Sequence, residues 1–275
     1  VSNPYLQREY RREDVNKMAQ DLGVRLHLDK EKELKRIFKN PSISKTAKQI
    51  KDRDDIKVNI PKFNDLSEEK ARETFISLYN DFPELEAIEE NKITTLRKEG
   101  FQGKWHQKFS VKKDRNNRQY INTECFFGFN KKIVPDDINF FSSSKDNQTI
   151  VHEHAHALDT IFTVESKGYK FSEYIKPKYF DKDISRDKVV EELYKHYDIA
   201  AKNKFSEKII NELLKELSIS KLELGKRLSK YAFGNSDNEI FAEAFTKWYL
   251  SDNKDGEFEK AFSKVFYKKL EEIRK

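Results

Sequence analysis

The chain has 275 residues, 37% of them charged and 36% apolar, and 54 basic against 48 acidic side chains leave a net charge of +6. That length holds one large domain or two modest ones, with a core on amphipathic elements filled largely by 21 Phe and 12 Tyr. No run of about 18 apolar residues exists, which excludes a spanning helix, and a single cysteine, Cys125, excludes an internal disulfide or a cysteine-rich metal site.

The chain opens on Val1 with polar, charged residues that do not resemble a signal peptide, and the missing initiator Met reads as a processed product or an excised fragment. Residues 1–55 read as a helical N-terminal extension. A first helix starts at Asn3-Pro4 and stops at Gly23, a second ends at Asn40-Pro41, and a third follows Ser42, with Asp52 to Asp55 as a polar linker. The extension carries no catalytic constellation. The main domain covers residues 56–275. It begins with a short strand at Ile56 to Ile60, closed by Pro61, and a helix after Ser67 bearing Ala71, Phe75, Leu78 and Tyr79. A second strand lies within Ile88 to Leu96. Residues 97–118, rich in Lys, Arg, Asn and Gly, read as a polar excursion around Trp105. Tyr120 to Phe129 and Ile138 to Phe141 are strands joined by a turn, and Cys125 in the first of them is a buried, inert thiol. Residues 142–147 are a loop of N-cap formers before a helix over Thr149 to Phe162. Beyond residue 165 the chain is helical, over about 185–202, 206–217, 220–230, 237–251 and 256–273. The fold class is α+β.

His152-Glu153-His154-Ala155-His156 is the densest chemical signal. On a helix, His152 and His156 stand one turn apart on one face, the geometry of two nitrogen ligands of a single zinc, with Glu153 beside them as general base. Ile150, Val151, Ala155, Leu158, Ile161 and Phe162 supply the buried side. His154 points away from the pair and is not counted as a ligand. Asp159 falls near the pair, where it either orients a ligand imidazole or faces solvent.

Some eighty residues on, Glu239 and Glu243 are again one turn apart, on a helix whose other side is aromatic. One carboxylate can complete a two-His-one-Glu set that leaves a fourth position to water, while the other accepts the free N–H of a ligand histidine. Two plainer readings compete. Ser236-x-x-Glu239 is a formal capping box, and Glu243 with Lys247 a formal i, i+4 ion pair.

His152-Glu153-x-x-His156-Ala157-Leu158-Asp159, followed by Tyr231, Asn235 and Glu239 to Phe245, resembles the gluzincin metallopeptidases of the anthrax lethal factor catalytic-domain type. It is similar also to zincin domains of phage minor head proteins and of large conjugative-element proteins. The two segments cover about a tenth of the chain. The resemblance implies a mainly helical zincin-like domain with a small mixed sheet beside the metal helix. It also implies one Zn2+ ion held by His152, His156 and Glu239, Glu243 as the supporting carboxylate, and Tyr231 as the phenol that steadies the oxyanion. Ala155 stands where these families commonly carry Gly, and His154 is placed to line the cleft. In zincins the substrate backbone usually adds to the edge strand before the metal helix, which here points to Ile138 to Phe141.

The expected function is therefore a zinc endopeptidase acting on a protein or peptide. The competing reading is a catalytically idle zincin-fold structural or interaction protein of a phage or mobile element, against which stand the intact Glu153 and Tyr231. Nucleic acid is disfavoured as a partner, because acids nearly match bases and no stacking motif accompanies the lysines. The resemblance suggests a bacterial source and a secreted or mobile-element setting. Oligomeric state leaves no mark on the sequence.

Overall fold

The computed structural model describes residues 68–88, 93–95, 103–129 and 145–275. The helices expected over residues 1–55, the strand at 56–60, the domain boundary between them, the turn after residue 129 and the strand at Ile138 to Phe141 lie outside the described residues. In chain order the elements are α1 (Glu68–Asp81), a 3-10 turn (Pro83–Ala87), β1 (Ile93–Thr95), β2 (Gly103–Lys113) and β3 (Gln119–Phe129). They continue with α2 (Lys145–Glu165), α3 (Phe171–Tyr174), β4 (Lys178–Tyr179), α4 (Arg186–Ala201), α5 (Phe205–Leu217), α6 (Lys221–Leu228), α7 (Asp237–Leu250) and α8 (Glu257–Arg274). The architecture is α+β, mostly helical with one small sheet. No described helix is long and apolar enough to cross a membrane.

The sheet is mixed. β3 pairs parallel with β1 (Ile93 opposite Phe127) and antiparallel with β2 (Trp105 opposite Phe127) and β4 (Tyr120 opposite Tyr179). Alternation sends Ile121, Thr123, Cys125 and Phe127 inward, where all four are buried. Cys125 is thus the inert core thiol expected of it.

β2 corrects the polar excursion expected over residues 97–118. Trp105 and Phe109 pack against the core from its inner face, while Lys104, Lys108 and Lys112 stand exposed on the other. A strand with one wet face needs few apolar residues, and two rings interrupted by Gln107 leave no visible alternation. The hairpin turn is built by Asp114, whose Oδ1 accepts the backbone N–H groups of Asn116 and Arg118, with Asn117 at φ 61°.

α2 runs through the middle of the molecule, from Lys145 inside the expected loop to Glu165. Ile150, Val151, Ala155, Leu158, Ile161 and Phe162 are all fully buried. The helical layer beneath is an aromatic lattice: Phe266 lies 5.9 Å from Phe82, 5.7 Å from Phe245 and 5.9 Å from Phe205, in tilted or edge-on contacts. Rings prefer such offsets, and each fully buried Phe contributes roughly 1.5–3 kcal/mol. α8 joins this lattice through Phe258, Phe262, Val265, Phe266 and Leu270, one stripe at helical spacing.

Candidate metal centre

α2 and α7 pack against each other with their paired side chains facing. His152 and His156 project from α2, Glu239 and Glu243 from α7, each pair one turn apart. Three donor atoms converge. The Nε2 atoms of His152 and His156 are 3.1 Å apart, and Oε2 of Glu239 stands 3.3 Å from each. A tetrahedral ion with bonds of about 2.0–2.1 Å separates its ligand atoms by about 3.3–3.4 Å, so the triangle has the size of one face of a zinc tetrahedron. Oε2 of Glu239 is buried with no well-directed hydrogen bond among the described residues. A buried carboxylate oxygen between two imidazole nitrogens could share a cation with them. The residues fit a zinc ion.

Glu243 serves the triangle from behind. Its Oε1 lies 2.9 Å from Nδ1 of His152, so Nδ1 carries the proton and Nε2 presents its lone pair to the centre. Burial opposes charge on His152, but Glu239 and Glu243 outweigh it and push its pKa up to about 10 when only a proton is there to bind. Burial would raise both glutamates too, yet His152 holds each of them below the ordinary carboxylate range, with His156 adding to the effect on Glu239. The alternative roles for these two acids do not form. Ser236 makes no side-chain cap. Lys247 sits over the Phe258 ring at 4.3 Å, with its charge facing Glu259.

Glu153 is buried beside the triangle, and its Oε2 accepts the backbone N–H of Trp105. The Trp105 indole Nε1 donates to Thr160 Oγ1 at 3.2 Å, so β2 is fixed to α2 at two levels. Gly103 permits this close approach: a Cβ there would meet Thr149 Cγ2 at 2.5 Å and Glu153 Cγ at 2.8 Å. Tyr231 stands at the mouth, 48% exposed, with its ring centre 5.9 Å from that of His152. Burial of its hydroxyl, then the negative charge of Glu239 and the hydrogen bond to that carboxylate, keep the phenol protonated well above the usual range. Asn235 Nδ2 donates to the Tyr231 carbonyl at 3.3 Å and so closes the loop that carries the phenol.

Two residues of the motif helix take other places than expected. His154 does not line the cleft. It is fully buried, stacked on Phe127 at 4.3 Å with Nδ1 2.7 Å from the Ile150 carbonyl, because its position turns it toward the sheet. Asp159 neither orients an imidazole nor faces solvent. Its oxygens accept the backbone N–H of Ser206 at 2.6 Å and its hydroxyl at 2.9 Å, so it caps α5. Thr163 assists by accepting the N–H of Phe205 at 2.8 Å. Lys204, at the formal cap position, offers no side-chain bond.

Sequence reasoning missed the Trp105 amide, Gly103 and Ser229, whose side chain hydrogen-bonds Glu243. Gly103-x-Trp105 carried the only available signal, a glycine at the start of an aromatic-bearing strand. In comparisons with known proteins, no family model matches the chain, and no curated protein or solved structure matches it either.

Proposed function

We propose that the protein is a zinc-dependent endopeptidase with a zincin-like domain. The single observation that carries this reading is the 3.1–3.3 Å triangle of His152, His156 and Glu239, backed by Glu243 and flanked by Glu153. Zinc bound there supplies a Lewis acid and brings water toward ionisation near neutral pH.

The chain's own groups do the rest. Glu243 holds His152 in the tautomer that ligates. Glu153 takes the proton of the attacking water as its oxygen bonds to the peptide carbonyl, and delivers that proton to the departing amine. The Trp105 N–H holds the Glu153 carboxylate in place for both transfers. Tyr231, a neutral phenol at the mouth, exchanges its bond to Glu239 for one to the carbonyl oxygen as negative charge grows there.

Metal analysis of the purified chain, combined with cleavage of a peptide library with and without chelator, tests the proposal. One zinc per chain and chelator-sensitive cleavage are expected. Stoichiometric zinc without any cleavage would return the idle-scaffold reading.

A further inference from the structure

Charge is unevenly spread along this chain. Between Gly103 and Phe129, six basic side chains (Lys104, Lys108, Lys112, Lys113, Arg115 and Arg118) meet only Asp114 and Glu124, so about a tenth of the sequence carries +4 of the net +6. Both acids are answered locally. Lys112 Nζ bonds Glu124, and Arg118 Nε lies 3.3 Å from Asp114, which also holds the turn. Lys108, Lys113 and Arg115 stand exposed, with no ion pair among the described residues.

Strand register sets rings among these cations. Lys112 lies opposite Tyr120, and Tyr120 opposite Tyr179, so the three form one row on the face away from the core, Ile121 marking the buried side. Tyr120 and Tyr179 stack at 4.9 Å, the Arg118 guanidinium lies 4.1 Å over the Tyr179 ring, and Tyr179 is still 46% exposed. On the same face His106 and Phe126 pair at 4.5 Å, with Lys104 and Lys108 on either side along β2. Burial, then the charges of those two lysines, push the His106 imidazole down, so its ring is neutral within a positive surround.

A positive strand face by itself suits any polyanion and can serve solubility alone. The rings decide. They offer flat surfaces to bases between the cations, and a guanidinium laid over a phenol presents its own outer plane to another base. Bases reach such surfaces only when unpaired, which favours a single strand over a duplex. An anionic bilayer would instead need apolar side chains to insert, and this face of β2 carries Lys104, His106, Lys108, Ser110 and Lys112 with no aliphatic residue. The stack brings together residues some sixty positions apart, so the sequence shows no stacking motif although the assembled sheet has one.

We propose that the outer face of the β2–β3 hairpin, together with Tyr179 of β4, binds single-stranded nucleic acid. Phosphates lie against Lys108, Lys112 and Arg115, and bases stack on the Arg118–Tyr179–Tyr120 cluster and on His106 and Phe126. This surface is separate from the metal triangle and does not depend on the endopeptidase reading.

The test titrates the full chain into a fluorescein-labelled oligothymidylate of about 20 nucleotides and reads anisotropy. Three phosphate contacts on a single strand should make affinity fall roughly 20-fold between 50 and 200 mM salt. Lys108→Glu combined with Arg115→Glu should weaken binding at least tenfold. Tyr179→Ser should weaken the oligonucleotide about tenfold yet leave labelled heparin unaffected, and Tyr179→Phe should restore the wild-type value. Zinc content and the thermal midpoint show that the variants fold. Absent binding, binding insensitive to salt, or binding that survives the double charge reversal overturns the proposal. Equal effects of Tyr179→Ser on oligonucleotide and heparin would reduce the surface to bare charge and overturn it too. So would a duplex of the same length, or phosphatidylserine vesicles, bound more tightly than the single strand.

Discussion

Nδ1 of His152 and Oε1 of Glu243 stand 2.9 Å apart, across the seam between two helices whose pairing residues are some ninety positions apart in the chain. That contact decides which imidazole nitrogen faces Glu239. Removing it in Glu243→Ala should weaken zinc binding about 10–100-fold, read by competition with a chromogenic chelator, with helical content unchanged. Unaltered affinity would reduce Glu243 to a buried passenger.

On the proposed reading, Glu153 separates binding from turnover. Glu153→Gln keeps the size of the side chain and its bond from the Trp105 amide but cannot take a proton. It should retain one zinc while cleavage falls by about 10²–10⁴. A variant that still cuts peptides at the wild-type rate would remove Glu153 from the chemistry.

Gly103 is where β2 comes closest to α2. In Gly103→Ala the new methyl would press on Thr149 and Glu153, a strain of about 1–3 kcal/mol relieved by displacing strand or carboxylate. The expected signature is a lower kcat with zinc affinity close to wild type. Equal losses in both would mean that the whole helix had moved.

Asp159 gives the opposite signature. Asp159→Ala strands the N–H and hydroxyl of Ser206 at the start of α5, which should cost about 1–3 kcal/mol in urea denaturation. Zinc stoichiometry should not change. Loss of zinc at intact stability would reinstate a role for Asp159 toward His156.

Two buried imidazoles make the fold acid-sensitive. Burial pushes both His154 and His196 down to about 4 from the ordinary 6.5, and the charge of Lys178 adds to the effect at His196. Between those values the unfolded chain binds protons that the folded one refuses. Stability is therefore full above pH 6.5 and lost as pH falls toward 4, by up to about 3 kcal/mol for the fully buried His154. Urea midpoints at pH 7.5 and 5 should differ accordingly, and His196→Gln should remove part of the slope. Equal midpoints in the wild-type chain would contradict neutral burial.

Local periodicity made much of this protein legible. The spacing of His152, His156, Glu239 and Glu243 places each pair on one helical face whatever the helices later pack against. The late helices were equally plain: residues 237–251 and 256–273 were expected, against Asp237–Leu250 and Glu257–Arg274 in the structure. Amphipathic stripes are encoded within a few residues of where they act.

Other features depend on partners that no local pattern names. β2 is a strand because β3 and α2 lie against it, and its lysines at every fourth position conceal that from any window of sequence. His154 becomes a core ring only because Phe127 lies over it, and Asp159 a helix cap only because Ser206 arrives beneath it. Meeting of the His152–His156 face with the Glu239–Glu243 face is likewise tertiary. A helix fixes its own turn by backbone hydrogen bonds, but closing a loop of eighty residues to within 3.3 Å takes the packing free energy of the whole aromatic core.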